Sequence, residues 1–154
     1  MGKLLGIAIA STHRSKMIEV DNANITIENG IEGDCRGKRI NRQVSVITRE
    51  SWSDACSELN TVLPWTTRRA NLLLENISIE ESKGKFIKIA DVVLEISGET
   101  EPCEVMDEQF DGLKKALVPN WRAGVICKVI RGGKIVIGNI VELLSENPKE
   151  LASC

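Results

Sequence analysis

The parts of this sequence with chemistry to offer are one thiol and two basic clusters. The thiol is Cys103, in Glu101-Pro102-Cys103-Glu104. Before it, Val92, Leu94 and Ile96 alternate with Val93, Glu95 and Ser97. That alternation reads as a strand, because β-branched side chains pack well on a pleated surface. Gly98 ends the regular pattern, and Pro102 lacks a donor and cannot continue a central strand. Strand ends and turns are where a rigid scaffold presents reactive groups. Cys103 is therefore expected to line a cleft with at least partial access to solvent, although a lone cysteine also serves commonly as a small core hydrophobe. Carboxylates at Glu101 and Glu104 disfavour a neighbouring thiolate; nearby cations or a metal would have to offset them.

The first basic cluster runs from Asp34 to Arg42 and carries Arg36, Lys38, Arg39 and Arg42 close to Gly33 and Gly37. Glycines let backbone N–H groups approach an anion, and guanidinium grips phosphate bidentately. The spacing is not that of a Walker loop: three residues separate Gly33 from Gly37, and Arg39 follows Lys38. The second cluster is Thr66-Thr67-Arg68-Arg69-Ala70-Asn71. The hydroxyl of Thr67, the guanidiniums of Arg68 and Arg69 and the amide of Asn71 suit phosphate or a polar heterocycle. Each cluster also reads as a solvated loop. Together they are more informative, since both would line one end of a barrel.

The elements that must position these groups are mostly strands. Leu4–Ser11, Ala23–Glu28, Gln43–Thr48, Leu72–Glu75, Phe86–Asp91, Val92–Ser97, Val125–Arg131, Lys134–Ile137 and Asn139–Leu144 carry the apolar runs. Residues 12–21, with His13, Arg14 and Lys16, read as a polar loop, and Gly132-Gly133 as a hairpin turn between its flanking strands. Thr48 or Ser51 caps a helix to about Leu59, whose apolar face holds Trp52, Ala55 and Cys56. Met106, Phe110, Leu113 and Leu117 share a second helical face, weakened at Gly112. Trp52, Trp65 and Trp121 read as packing residues, the last two with a covering role over a planar ligand as the alternative. Many short strands without regular crossover helices predict a mainly β fold: a closed or nearly closed barrel of about seven strands with a few short helices.

Composition narrows the function. The chain has 154 residues, enough for one domain with a sizeable core, here expected at about 4–144 with a polar tail over 145–154. Aromatics are 3% and Tyr is absent, so the core is aliphatic. A net charge of -2 gives no general nucleic-acid surface. No apolar run approaches the roughly 20 residues of a membrane helix, and a cytoplasmic protein is expected. Five cysteines, odd in number and without a CxxC, argue against a zinc site or a disulfide framework.

Gly33-Asp34-Cys35-Arg36-Gly37-Lys38, Arg42-Gln43-Val44-Ser45-Val46-Ile47-Thr48-Arg49-Glu50 and Thr67-Arg68-Arg69-Ala70-Asn71-Leu72-Leu73-Leu74-Glu75 resemble the MOSC domain, the molybdenum-cofactor sulfurase C-terminal domain. Ile89–Glu95, Glu101–Glu104 and Ile137–Val141 continue the resemblance in order, over roughly residues 4–144. It implies a barrel-like β fold and a molybdopterin-type cofactor, or a role in handling sulfur for it. It implies Cys103 as sulfur carrier or molybdenum ligand and Arg69 and Asn71 as holders of the pterin phosphate; the two basic clusters add Arg36, Lys38, Arg42, Thr67 and Arg68 as expected cofactor contacts. Two activities follow from the resemblance: reduction of N-hydroxylated compounds, or non-catalytic persulfide carriage. Many members carry His after Gly-Asp; here Cys35 and Arg36 stand there, so that His role does not carry over. No N-terminal β-barrel domain or electron-transfer domain is visible, so a reductase would need a partner to supply electrons.

Overall fold

The structure is a computed structural model and describes residues 1–148. Eleven strands are present among the described residues: β1 (Gly2–Ile9), β2 (Ile18–Val20), β3 (Asn22–Thr26), β4 (Gly30–Ile31), β5 (Val44–Thr48), β6 (Leu72–Glu75), β7 (Phe86–Ile89), β8 (Val92–Glu99), β9 (Val125–Arg131), β10 (Gly133–Val136) and β11 (Ile140–Leu144). Three short helices accompany them, α1 (Arg49–Glu58), α2 (Glu104–Gln109) and α3 (Leu113–Ala116). Pairing runs β11-β7-β8-β9-β5-β6-β1, and β1 returns to β11 at Gly2↔Val141 and Lys3↔Ile140. Seven strands thus close into a barrel, as the sequence pattern predicts. β2 extends it beside the end of β1, and β10-β3-β4 form a second small sheet.

Within the barrel only β5 and β6 run parallel. Parallel neighbours need a crossover rather than a hairpin. Here it is α1 followed by a 3-10 turn at Trp65–Arg68. Thr48 caps α1, its Oγ1 accepting from the Ser51 N–H at 3.2 Å. The crossover therefore delivers Arg68 and Arg69 to the barrel end just before β6 begins.

Alternation sorts the core into two compartments. Val44 and Val46 of β5, and Leu72 and Leu74 of β6, fill the barrel with Leu4, Ile87, Ile89, Leu94, Ile96 and Val129. Ile47 and Leu73, one residue out of phase, point outward and are covered by Trp52, Ala55 and Cys56 of α1 and by Leu113 and Leu117. Successive side chains of a strand face opposite ways, so both faces of the β5–β6 pair are apolar and both are buried.

Several expectations are revised. The Gly132-Gly133 hairpin does not form: both edges of β9 are taken, by β8 and by β5, so β10 pairs with β3 instead. Residues 12–21 are not all loop, because Ile18–Val20 forms β2. The strand before Cys103 runs on to Glu99, absorbing Gly98 through a register shift between Ile96 and Gly98. The helical stretch after Cys103 is broken into α2 and α3 at Gly112, whose φ of +89° suits no L side chain. The expected polar tail lies, from residue 149 on, outside the described residues.

Candidate functional site

Cys103 stands immediately before α2, with extended φ and ψ of -127° and 175°. Its carbonyl accepts from Met106 N–H at 2.9 Å, and its thiol is exposed. Upstream, the Thr100 N–H donates to Gly124 O at 2.9 Å, which fixes the chain as it leaves β8. Glu104, which would oppose a thiolate, is engaged by the ammonium of Lys114 in an exposed ion pair. That contact, through hydrogen bond and charge, pushes the Lys114 pKa up.

The thiol opens onto a cavity of about 300 Å³, lined by Cys103, Val105, Met106, Glu108 and Gln109 on one side and by His13, Arg14, Arg36, Arg39, Arg68 and Arg69 on the other. Five arginines face one carboxylate, so the wall is strongly cationic. Behind it a smaller cavity of about 100 Å³ is lined by Arg36, Arg39, Arg42, Ser45, Arg68, Asn71, Thr100 and Ile126. Arg36, Arg39 and Arg68 belong to both.

The arginines are held differently. Arg36 is clamped: its Nε and Nη2 donate to the two oxygens of Asp34, at 3.3 and 3.2 Å, and its Nη1 to Arg69 O at 2.7 Å. The Asp34 side chain is fully buried and also accepts from Ala10 N–H. Arg68 is only 7% exposed. Its Nε donates to Ala123 O at 3.0 Å, but its Nη2 is buried with no partner. Burial, followed by repulsion from Arg36, lowers the Arg68 pKa to about 10, while the Cys103 thiol acts the other way. The guanidinium remains a cation at neutral pH, buried and without a carboxylate. Arg69 has a left-handed φ of 63°, which strains a side-chain-bearing residue. That turn aims its side chain to the mouth, where Nη2 lies 3.4 Å from His13 O.

The residues singled out in the sequence separate into groups. Cys103, Arg36, Arg68 and Arg69 share the larger cavity. Arg42 and Asn71 line the smaller one, but the Asn71 amide is already occupied: Oδ1 accepts from Ser45 N–H at 3.0 Å and Nδ2 donates to Ala8 O at 3.1 Å. Lys38 lies in another cavity, of about 470 Å³, together with Cys35. Thr67 lines neither cavity; its N–H closes the 3-10 turn onto Pro64 O. Trp65 and Trp121 do not line the Cys103 cavity. Trp65 packs against Gly6 and donates to Glu19, and Trp121 borders a separate cavity with Glu50, Asp54 and Glu80. Sequence reasoning placed Arg39 in the first basic cluster without assigning it a contact, read His13 and Arg14 as loop residues, and passed over Thr100. Arg39 had a signal: Arg36, Arg39 and Arg42 recur every three residues, and the turn Arg39 N–H to Arg36 O makes that spacing one-sided. Thr100 had none.

Among the described residues no group of three or more His, Cys, Asp and Glu could hold a metal ion. A metal here would meet one thiol and bring its other ligands with it. An anionic cofactor carrying such a metal fits this donor set: the unpaired Arg68 Nη2 and the surrounding guanidiniums suit a phosphate, and Cys103 offers a soft sulfur donor. Among the described residues no helix is long and apolar enough to cross a membrane.

A comparison with curated proteins gave no match. Among solved structures, the YuaD protein from Bacillus subtilis is similar at a TM-score of 0.78 and 20% identity, over 96% of this chain and 98% of that one. YiiM from Escherichia coli is similar at 0.70 and 19% identity, over 94% and 71%. YiiM from Geobacillus stearothermophilus is similar at 0.70 and 13%, over 94% and 75%. At such identities these likenesses establish the fold. The MOSC domain family model matches residues 14–142, most of the chain and every lining residue of the Cys103 cavity but His13, and the protein belongs to the MOSC domain family.

Proposed function

We propose that the chain, acting as one domain over residues 1–154, binds a molybdenum cofactor and, with electrons from a separate donor protein, reduces N-hydroxylated compounds. The observation that carries this reading is the buried, unpartnered Nη2 of Arg68 on the same cavity as the exposed Cys103 thiol. A buried cation without a partner is costly, and an anionic group in that cavity offsets the cost. Arg68 and Arg69, with Arg36 and Arg39, would hold the cofactor's phosphate, and Cys103 would offer its sulfur to the metal. When bound, the group supplies two-electron oxygen-atom chemistry. The chain would bind it and orient it through the clamped Arg36, with His13 and Gln109 lining the same cavity. Elemental analysis after expression in a host that makes the cofactor tests the reading. Near-stoichiometric molybdenum is expected, lost or greatly reduced in Cys103→Ser. Arg69→Ala should weaken retention of the cofactor while moving the melting temperature little, because its side chain has one long contact to His13 and the Arg36 bond uses its backbone oxygen. Protein free of molybdenum under those conditions would overturn the reading.

A second reading is favoured by the exposed Cys103 thiol, which among the described residues belongs to no group of three or more metal-ligating side chains: Cys103 carries a persulfide and passes sulfur to a partner. Cationic surroundings stabilise a persulfide anion as they would a thiolate. Labile sulfur on Cys103 in a molybdenum-free preparation would separate this from the first reading.

A further inference from the structure

The 100 Å³ cavity behind Cys103 has its own chemistry. Two polar atoms of its lining residues are buried with no partner, Arg68 Nη2 and Thr100 Oγ1. Buried polar groups are almost always hydrogen-bonded, and here both orphans are groups of one small cavity. Arg68 is nine-tenths buried, and of the four arginines on that cavity only Arg36 has a carboxylate against it among the described residues. The charge calls for an anion. The size is compatible: a cavity of about 100 Å³ has room for a small oxyanion.

We propose that this cavity is a subsite for the sulfonate end of a thiosulfate-type sulfur donor, held by Arg68 Nη2 and the Thr100 hydroxyl, with the donor's sulfane sulfur directed to Cys103. The proposal rests on the sulfur-carrier reading and names its donor. Arg68 spans both cavities, so an anion seated on it reaches toward the thiol. The step balances without an external oxidant. The Cys103 thiol gives its proton to solvent, and the thiolate attacks the sulfane sulfur. A Cys103 Sγ–S bond forms, the donor's S–S bond breaks, and sulfite leaves with the electron pair. The total charge is the same on both sides, and the product is the Cys103 persulfide.

The experiment incubates the full chain with thiosulfate, and separately with polysulfide, an oxygen-free sulfur donor. It measures sulfite release and locates the persulfide by mass spectrometry. Stoichiometric sulfite with a persulfide on Cys103, competed by sulfate and unchanged in Cys35→Ser, is expected. Thr100→Val keeps shape and removes only the orphan hydroxyl. It should raise KM for thiosulfate about ten-fold, the worth of one charge-assisted hydrogen bond, with persulfide formation from polysulfide unchanged. Persulfide from polysulfide but not from thiosulfate would overturn the proposal and leave the carrier reading standing. No persulfide from either donor would overturn both. Equal thiosulfate kinetics in Thr100→Val and the parent would overturn the subsite.

Discussion

At the scale of single residues, the four described cysteines divide by environment. Cys103 and Cys35 are exposed; Cys56 and Cys127 are buried. Cys127 is enclosed within the barrel, and burial pushes its pKa far up. Thiolate, not thiol, reacts. Iodoacetamide on the native protein should therefore label Cys103 and Cys35 and spare Cys56 and Cys127 until the chain unfolds, as peptide mapping would read. Early labelling of Cys127 would mean that the barrel opens under native conditions. The position of Cys103 was legible, because a proline after a strand marks the place where the chain leaves a sheet. The condition of Arg68 was not. A Thr-Thr-Arg-Arg run looks solvated by composition, and nothing local distinguishes the buried guanidinium from its half-exposed neighbour. Which one goes inside depends on the left-handed turn at Arg69 and on Ala123 supplying a carbonyl, a contact 55 residues away.

At the scale of elements, the β5–β6 crossover decides what reaches the site. Asn71 sits at its exit and ties three segments together: Ser45 at β5, Ala8 on β1, and the start of β6. The residue is 1% exposed, and both its amide oxygen and its amide nitrogen already have backbone partners. Asn71→Ala leaves Ser45 N–H and Ala8 O without these partners. Each buried group so stranded costs about 1–3 kcal/mol, so the urea midpoint should fall clearly, and any loss of cofactor should follow from that instability. Intact stability with lost binding would instead make Asn71 a direct contact. The strand and helix runs themselves were readable from period alone: β6 over Leu72–Glu75, β9 over Val125–Arg131 and α1 after Thr48. The pairing of β10 was not. A Gly-Gly between two apolar runs signals a hairpin locally, and only the whole sheet shows that β9 has no edge left to offer.

At the scale of the molecule, a protein of net charge -2 concentrates five arginines around one cavity. The local field there is opposite in sign to the global charge, which favours an anion at that barrel end. Arg68 fixes the pH range over which this holds. Its pKa is lowered to about 10, chiefly by burial and next by Arg36. A cation depressed in this way costs stability wherever both folded and unfolded chains are protonated, which is below about pH 10, and the cost fades as pH rises above about 10 toward the ordinary arginine range. An anion that pairs with the protonated guanidinium reverses the sense: it raises the Arg68 pKa, and its own affinity must fall as that proton is lost. The charged and titratable groups that act on Arg68 are Arg36 and Cys103. Cys103→Ser removes the second of them. Sulfate affinity by calorimetry should then be flat from about pH 6 to about pH 9 and decline above about pH 10, by up to ten-fold per pH unit. A decline already complete near pH 8 would assign the anion to a group other than Arg68. Added chloride separates the two further, since exposed charges are screened within about 8–10 Å at physiological salt and a buried guanidinium much less. Affinity that survives moderate salt in Cys103→Ser and vanishes in Arg68→Met would place the sulfate on the buried arginine.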